Sequence, residues 1–62
     1  MNKREIIGRL KRRYPEATKI FQDEYKHWIV EISELDGWYE TFHAFAVRQE
    51  KLQFIGTTTC EY

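Results

Sequence analysis

The dipeptide Asp36-Gly37 lies between two stretches that read as β-strands, and it constrains the fold more than any other feature of this chain. The first stretch, HWIVEISEL at 27–35, alternates apolar and polar residues, and the second, WYETFHAFAVRQ at 38–49, is aromatic and β-branched. Asp-Gly between such stretches indicates a tight β-hairpin, because both residues tolerate the positive φ angles of the turn. The sequence therefore predicts an antiparallel pair of strands at the centre of the chain.

Two further stretches are predicted to complete a sheet. QEK at 49–51 forms a second turn before LQFIGTTTCEY, which is rich in strand-forming residues. The segment 16–26 is open to two interpretations, a short strand or a second helix that begins after Pro15. We expect the strand, because Thr18, Ile20 and Phe21 favour extended backbone.

The N-terminal stretch carries the signature of one amphipathic helix. Ile6, Leu10 and Tyr14 recur at a spacing of four residues, with Ile7 beside them, and so form one apolar face. Asn2 is a suitable N-cap, and Pro15 forces the helix to end before it. We predict a helix at about 3–13 and, for residues 1–62, a single α+β domain in which this helix packs on an antiparallel sheet in the order α-β-β-β-β.

The register of the central hairpin decides which side chains form the core. With an even number of loop residues, paired residue numbers sum to 73, so that Trp28 lies opposite Phe45 and Val30 opposite His43. A three-residue loop with a bulge would instead place Ala44 and Phe42 opposite them. We predict the even register, with these residues on the helix side of the sheet: Trp28, Val30, Ile32, Tyr39, Phe45, Val47, Leu52 and Phe54.

The predicted register leaves an apolar set of side chains on the other side of the sheet. One helix cannot cover both faces, and an uncovered sheet face is normally polar. An apolar patch with a charged rim, here Glu31, Glu40 and Arg48, is typical of a partner-binding surface. The candidate protein-binding residues are Ile29, Leu35, Trp38, Phe42 and Ile55. The alternative is that the C-terminal tail or a second copy of the chain covers this face.

Charge is divided unevenly along the chain. Residues 1–13 hold six basic side chains and one acidic side chain, a net charge of +5, and the rest holds four and nine, a net charge of −5. The basic helix could bind the phosphates of a nucleic acid, with Tyr14 and Tyr25 available for stacking. Its candidate residues are Arg4, Arg9, Lys11, Arg12 and Arg13. The alternative is a solvated helix whose cations pair with the carboxylates of the sheet.

No motif indicates catalysis, a cofactor or a metal. His27 and His43 are the only side chains that ordinarily titrate near neutral pH, and no spacing of His27, His43 and Cys60 matches a zinc site. We therefore predict a protein that is not an enzyme and that needs neither cofactor nor metal.

A single cysteine, no signal-peptide pattern and no apolar run of membrane-spanning length lead us to expect a cytoplasmic protein. The functional hypothesis is a protein-interaction module, of the accessory or inhibitor type by which phages and mobile elements bind a host protein. The alternative is binding to a nucleic-acid backbone. A chain of 62 residues often needs oligomerisation for stability, so a homodimer, with or without a disulfide between two Cys60 residues, is a further expectation.

Overall fold

The computed structural model describes residues 1–34 and 36–61 and has the predicted α+β architecture. One N-terminal helix packs on a four-stranded antiparallel sheet whose strands lie side by side in sequence order. The elements are α1 at Lys3–Arg13, β1 at Lys19–Gln22, β2 at Trp28–Glu34, β3 at Tyr39–Arg48 and β4 at Lys51–Glu61. Among the described residues, no helix has the length and hydrophobicity that crossing a bilayer requires.

Helix α1 begins and ends where the sequence predicts. The Asn2 Oδ1 atom accepts a hydrogen bond of 2.9 Å from the Glu5 N–H, which caps one of the free N–H groups of the first turn. At the other end the Tyr14 N–H donates to the Leu10 carbonyl at 2.8 Å, and Pro15 follows directly. A proline disfavours helical backbone in the residue before it, which fixes the end of the helix at this point.

The central hairpin has the predicted even register. Trp28 lies opposite Phe45 and Val30 lies opposite His43, and the last pair before the turn joins Glu34 to Tyr39. Asp36 and Gly37 both have positive φ, 54° and 89°, as the Asp-Gly signal requires. Trp38 lies in this turn and not at the start of β3.

The second hairpin is tighter and carries a β-bulge. Gln49 and Glu50, with φ of 52° and 64°, form a two-residue turn between β3 and β4. Phe45 then pairs with Phe54 while Ala44 pairs with Gly56, so that Ile55 has no residue opposite it. One extra residue in one strand bends that strand and increases its twist.

The ambiguous segment is a strand, as predicted. β1 pairs with β2, with Ile20 opposite Val30. The turn between them is held by Asp23, whose Oδ1 atom accepts hydrogen bonds from the N–H groups of Tyr25 at 3.0 Å and His27 at 2.8 Å. An aspartate that binds its own following backbone in this way favours a turn over a continuing helix.

The core lies between α1 and one face of β2 and β3. Ile6 and Leu10 of the helix pack against the buried side chains Trp28, Val30, Ile32 and Phe45 of the sheet. Burial of such side chains contributes roughly 1.5–3 kcal/mol each. The predicted core therefore forms, but it is narrower than the sequence suggested.

Two predicted core residues, one at the end of β3 and one in β4, are exposed because α1 covers only part of its side of the sheet. Val47 and Phe54 keep 38% and 49% of their surface exposed. Leu52 and Tyr39 are partly buried, and Leu52 packs against the edge of the core. An α-helix is about 10 Å across, whereas four strands spaced about 4.8 Å apart form a wider surface, so β4 and the end of β3 beside the β3–β4 turn are left with little cover.

Candidate interaction surfaces

The sheet face that points away from α1 is called the open face here. Strand alternation places on it the following residues: Lys19, Phe21, Ile29, Glu31, Ser33, Glu40, Phe42, Ala44, Ala46, Arg48, Lys51, Gln53, Gly56, Thr58 and Cys60. An apolar row crosses all four strands at one level, because Phe21, Ile29, Ala44 and Gly56 are successive cross-strand neighbours. The open face is therefore apolar at its centre.

The candidate protein-binding residues lie in three different settings. Ile29 and Phe42 are on the open face and are half-buried, shielded by their neighbours on the sheet. Trp38 and Ile55 are more exposed, at 64% and 49%, the first in the β2–β3 turn and the second at the bulge of β4. Leu35 lies outside the described residues.

Phe21 belongs to this surface and was not among the predicted site residues. It pairs with Ile29, it is half-buried, and the Lys19 Nζ atom lies 5.3 Å from the centre of its ring. The face on which Phe21 lies depends on the number of residues in the β1–β2 turn. The sequence does not reveal that number, because no glycine marks the turn.

The charges of the open face are separated along the strands. Arg48 and Lys51 form one cross-strand pair beside the β3–β4 turn, and Glu40 lies near the β2–β3 turn at the other end. Between them Glu31 lies near Lys19, its cross-strand neighbour. The apolar centre is thus flanked by a basic end and an acidic end, an arrangement that would orient any charged molecule docking on this face.

All five residues of the candidate nucleic-acid surface are exposed on the helix: Arg4, Arg9, Lys11, Arg12 and Arg13. Within residues 1–34 and 36–61, none of these cations forms an ion pair with a carboxylate of the sheet. The Arg12 Nε atom instead donates to the Gly8 carbonyl at 3.3 Å. The guanidinium of Arg13 lies 5.4 Å from the ring centre of Phe45 and 5.6 Å from that of Tyr14. In this part of the chain the helix is therefore solvated, and its cations do not pair directly with the carboxylates of the sheet.

A cluster of rings closes the C-terminal end of α1 onto the sheet. Tyr14 stacks on His43 with ring centres 4.8 Å apart, and the His43 Nδ1 atom forms a 2.8 Å hydrogen bond with the Thr57 Oγ1 atom. Phe54 meets Phe45 edge to face at 5.5 Å. One face of the Tyr14 ring is therefore covered by His43 and is not available for stacking on a nucleic-acid base. Tyr25, which is 72% exposed, lies in the β1–β2 turn at the opposite edge of the sheet.

Glu50 ties the start of the chain to the β3–β4 turn. Its carboxylate accepts a hydrogen bond of 2.6 Å from the amino group of Met1. This hydrogen bond and the charge of the ammonium group lower the pKa of Glu50, with Arg9 contributing in the same direction. The contact therefore weakens as the pH falls through that lowered pKa, although Glu50 is so exposed that solvent screens it strongly.

The described residues contain no group of three or more His, Cys, Asp or Glu side chains that could hold a metal ion. Cys60 is exposed near the end of β4, and His43 serves as a packing residue against Tyr14. Two clefts of the described surface are shallow and open, one against β1 beside Ile7 and Lys11 and the other beside the β3–β4 turn.

Comparison with known proteins gives no relative: no family model, curated protein or solved structure matches this chain.

Proposed function

We propose that this protein is a non-enzymatic protein-interaction module that binds its partner through the open face. The observation that carries the proposal is the apolar row of Phe21, Ile29, Ala44 and Gly56, which lies on the side of the sheet that α1 does not cover. Burial of this apolar surface against another protein would remove it from water and so favour the complex.

The solvent-accessible surface of the chain is larger than that of a compact monomer, which supports the proposal that one face of the sheet is uncovered. The chain exposes 4812 Å² at a mass of 7.6 kDa, whereas a compact monomer of this mass exposes about 4,300 Å². The excess comes from a slab-like shape, with extents of 36 × 21 × 16 Å. A standard protein interface removes roughly 800 Å² from each partner, which one face of such a slab can supply.

The chemistry of the partner follows from the layout of the face. Its centre should be apolar and should fill the shallow region over Ala44 and Gly56, beside the larger Phe42. A carboxylate of the partner should lie near Arg48 and Lys51, and a cation near Glu40. Trp38 at the acidic end is the exposed aromatic residue best placed to act as an anchor.

Site-specific photo-crosslinking tests this proposal in cells that express the protein. A photoreactive phenylalanine analogue at position 42 should give a defined adduct with a protein, because this position lies on the open face. The matched control carries the analogue at Thr59, which is exposed on the helix side, and should not give that adduct. Trp38→Asp should remove the position-42 adduct without unfolding the chain. The same adducts from both positions, or none from position 42, would refute the proposal.

The unpaired cations of α1 support a second candidate function, binding to a nucleic-acid backbone. A helix with a net charge of +5 and no ion pairs to the described part of the sheet offers its cations to phosphates. The helix has no Asn or Gln to pair with base edges, so we expect this binding to be independent of the DNA sequence.

A titration of a labelled 20-base-pair DNA duplex at two salt concentrations tests the second candidate. Binding should weaken steeply with salt, with a slope of log K of about −0.9 for each phosphate neutralised. The triple variant Arg4→Glu, Lys11→Glu, Arg12→Glu should abolish it, whereas Lys26→Glu in the β1–β2 turn should change it little. No binding of the unmodified protein at low salt eliminates this function.

A further inference from the structure

Strand β4 is an unprotected edge of the sheet. It is the longest strand, with 11 residues, and it is the outer strand, paired with β3 along one side. Among the described residues, no strand pairs with its other side. The N–H and C=O groups of an edge strand can pair with any extended chain of suitable sequence.

The sequence of β4 does little to prevent such pairing. Between Lys51 and Glu61 at its two ends, the strand has no charged residue and no proline. Natural edge strands are usually short or carry inward charges, prolines or bulges. The bulge at Ile55 is the single device of this kind, and the strand continues beyond it from Gly56 to Glu61.

The opposite edge of the sheet shows the contrast. β1 has four residues, starts with a lysine and leads into a turn that Asp23 and Lys26 make polar. A four-residue strand offers few ladder hydrogen bonds to another chain. The two edges therefore differ in length and in charge, and β4 is the edge suited to association.

We propose that β4 is a dimerisation edge, at which residues 56–60 of two copies pair antiparallel about a two-fold axis at Thr58. This pairing places Gly56 opposite Cys60 and Thr57 opposite Thr59 of the other copy, so that no like charges meet. A parallel pairing in register would place Glu61 on Glu61 and Lys51 on Lys51, which is destabilising. Threonine favours extended backbone, and threonine pairs across strands are favourable.

A second copy suits this edge because the contact is closed by symmetry. Each copy uses its β4 edge once, and the short β1 edges remain at the two ends of an eight-stranded sheet. Both helices lie on one side of that sheet, and both open faces lie on the other. The inference does not depend on the function proposed for the open face, since the two surfaces can be changed separately.

Light scattering of the purified protein at about 100 µM tests the inference first. The expected mass is twice the 7.6 kDa of the chain. Thr59→Lys, on the helix side of β4, places two cations near each other across the axis and should weaken dimerisation by at least about tenfold, whereas Thr59→Val should not. Phe42→Asp changes the open face and should leave the mass of the dimer unchanged. Circular dichroism shows whether each variant is folded.

A crosslinking experiment separates pairing at the edge from contact through the open faces. It does not depend on the substitutions used in light scattering, so it remains informative if one of those variants does not fold. The double variant Cys60→Ser, Thr59→Cys has one thiol, on the helix side of β4. With edge pairing, the two thiols lie two residues apart across the axis, and a short bismaleimide should join them in high yield. The matched control Cys60→Ser, Ser33→Cys on β2 should give no crosslinked dimer.

Two results would overturn the inference. One is a monomer at this concentration. The other is a dimer that Phe42→Asp dissociates, that Thr59→Lys leaves intact and that the thiol introduced by Thr59→Cys does not crosslink, because copies joined through their open faces hold their helix sides apart.

Discussion

At the scale of single residues, Phe42 and Phe45 show how the sheet assigns different roles to similar side chains. They lie three positions apart in β3, so strand alternation puts them on opposite faces. Phe45 is fully buried under Leu10 and the other core residues, whereas Phe42 is half-buried on the open face. The role of each ring is therefore set by the parity of its position relative to the hairpin register.

The N-cap of α1 allows a test at the same scale. Asn2→Ala removes the 2.9 Å hydrogen bond to the Glu5 N–H and should lower the free energy of unfolding by about 1 kcal/mol. Asn2→Asp keeps an acceptor at the cap and adds a favourable charge at the N-terminus of the helix, so it should be at least as stable as the unmodified protein. Urea denaturation measures both values. An Asn2→Ala protein of unchanged stability would show that the cap does not hold the helix.

Much of this residue-level detail could be predicted from the sequence, and the exceptions have physical causes. Asn2 and Pro15 specify the ends of α1, and Asp36-Gly37 specifies the first hairpin, because their backbone preferences are strong. Gln49 and Glu50 hold positive φ without being Gly, Asn or Asp, so no residue preference marks this turn type. The turn follows from the strands that it joins.

At the scale of elements, the helix and the sheet differ in width, and this difference shapes the candidate surfaces. α1 covers the helix side of β2 and of β3 at Phe45, and it leaves exposed Val47 at the end of β3 and Phe54 in β4. The sequence predicts all eight helix-side residues as core because alternation gives the side of a residue and says nothing about how far a helix reaches. The extent of cover depends on how α1 lies across the strands, which is a tertiary property.

The bulge in β4 is the second feature at this scale that the sequence pattern does not predict. Strict alternation puts Ile55 on the open face, but the extra residue interrupts the alternation between Phe54 and Gly56. A bulge depends on the pairing of two strands and leaves a weak local signal. Ile55 is therefore exposed, as a site residue must be, but strand alternation alone does not assign it to the open face.

At the scale of the whole molecule, the chain is a two-layer slab with one closed side. The core cluster has six buried residues, and a domain this small buries a smaller fraction of its surface than a larger domain does. The net charge is zero overall, and the basic helix and the acidic remainder occupy different layers. Such a molecule would gain stability from a partner that covers its open face or pairs with its edge strand, as proposed above.

The central claim is that one face of the sheet holds the fold together and the other is free for a partner. The most direct measurement compares the free energies of unfolding of Phe45→Ala and Phe42→Ala by urea denaturation, at a concentration where both are monomeric. We predict a loss of about 3–5 kcal/mol for Phe45→Ala, which removes a fully buried ring, and less than half of that loss for Phe42→Ala. Equal losses, or a larger loss for Phe42→Ala, would contradict the account, because the open face would then be part of the core.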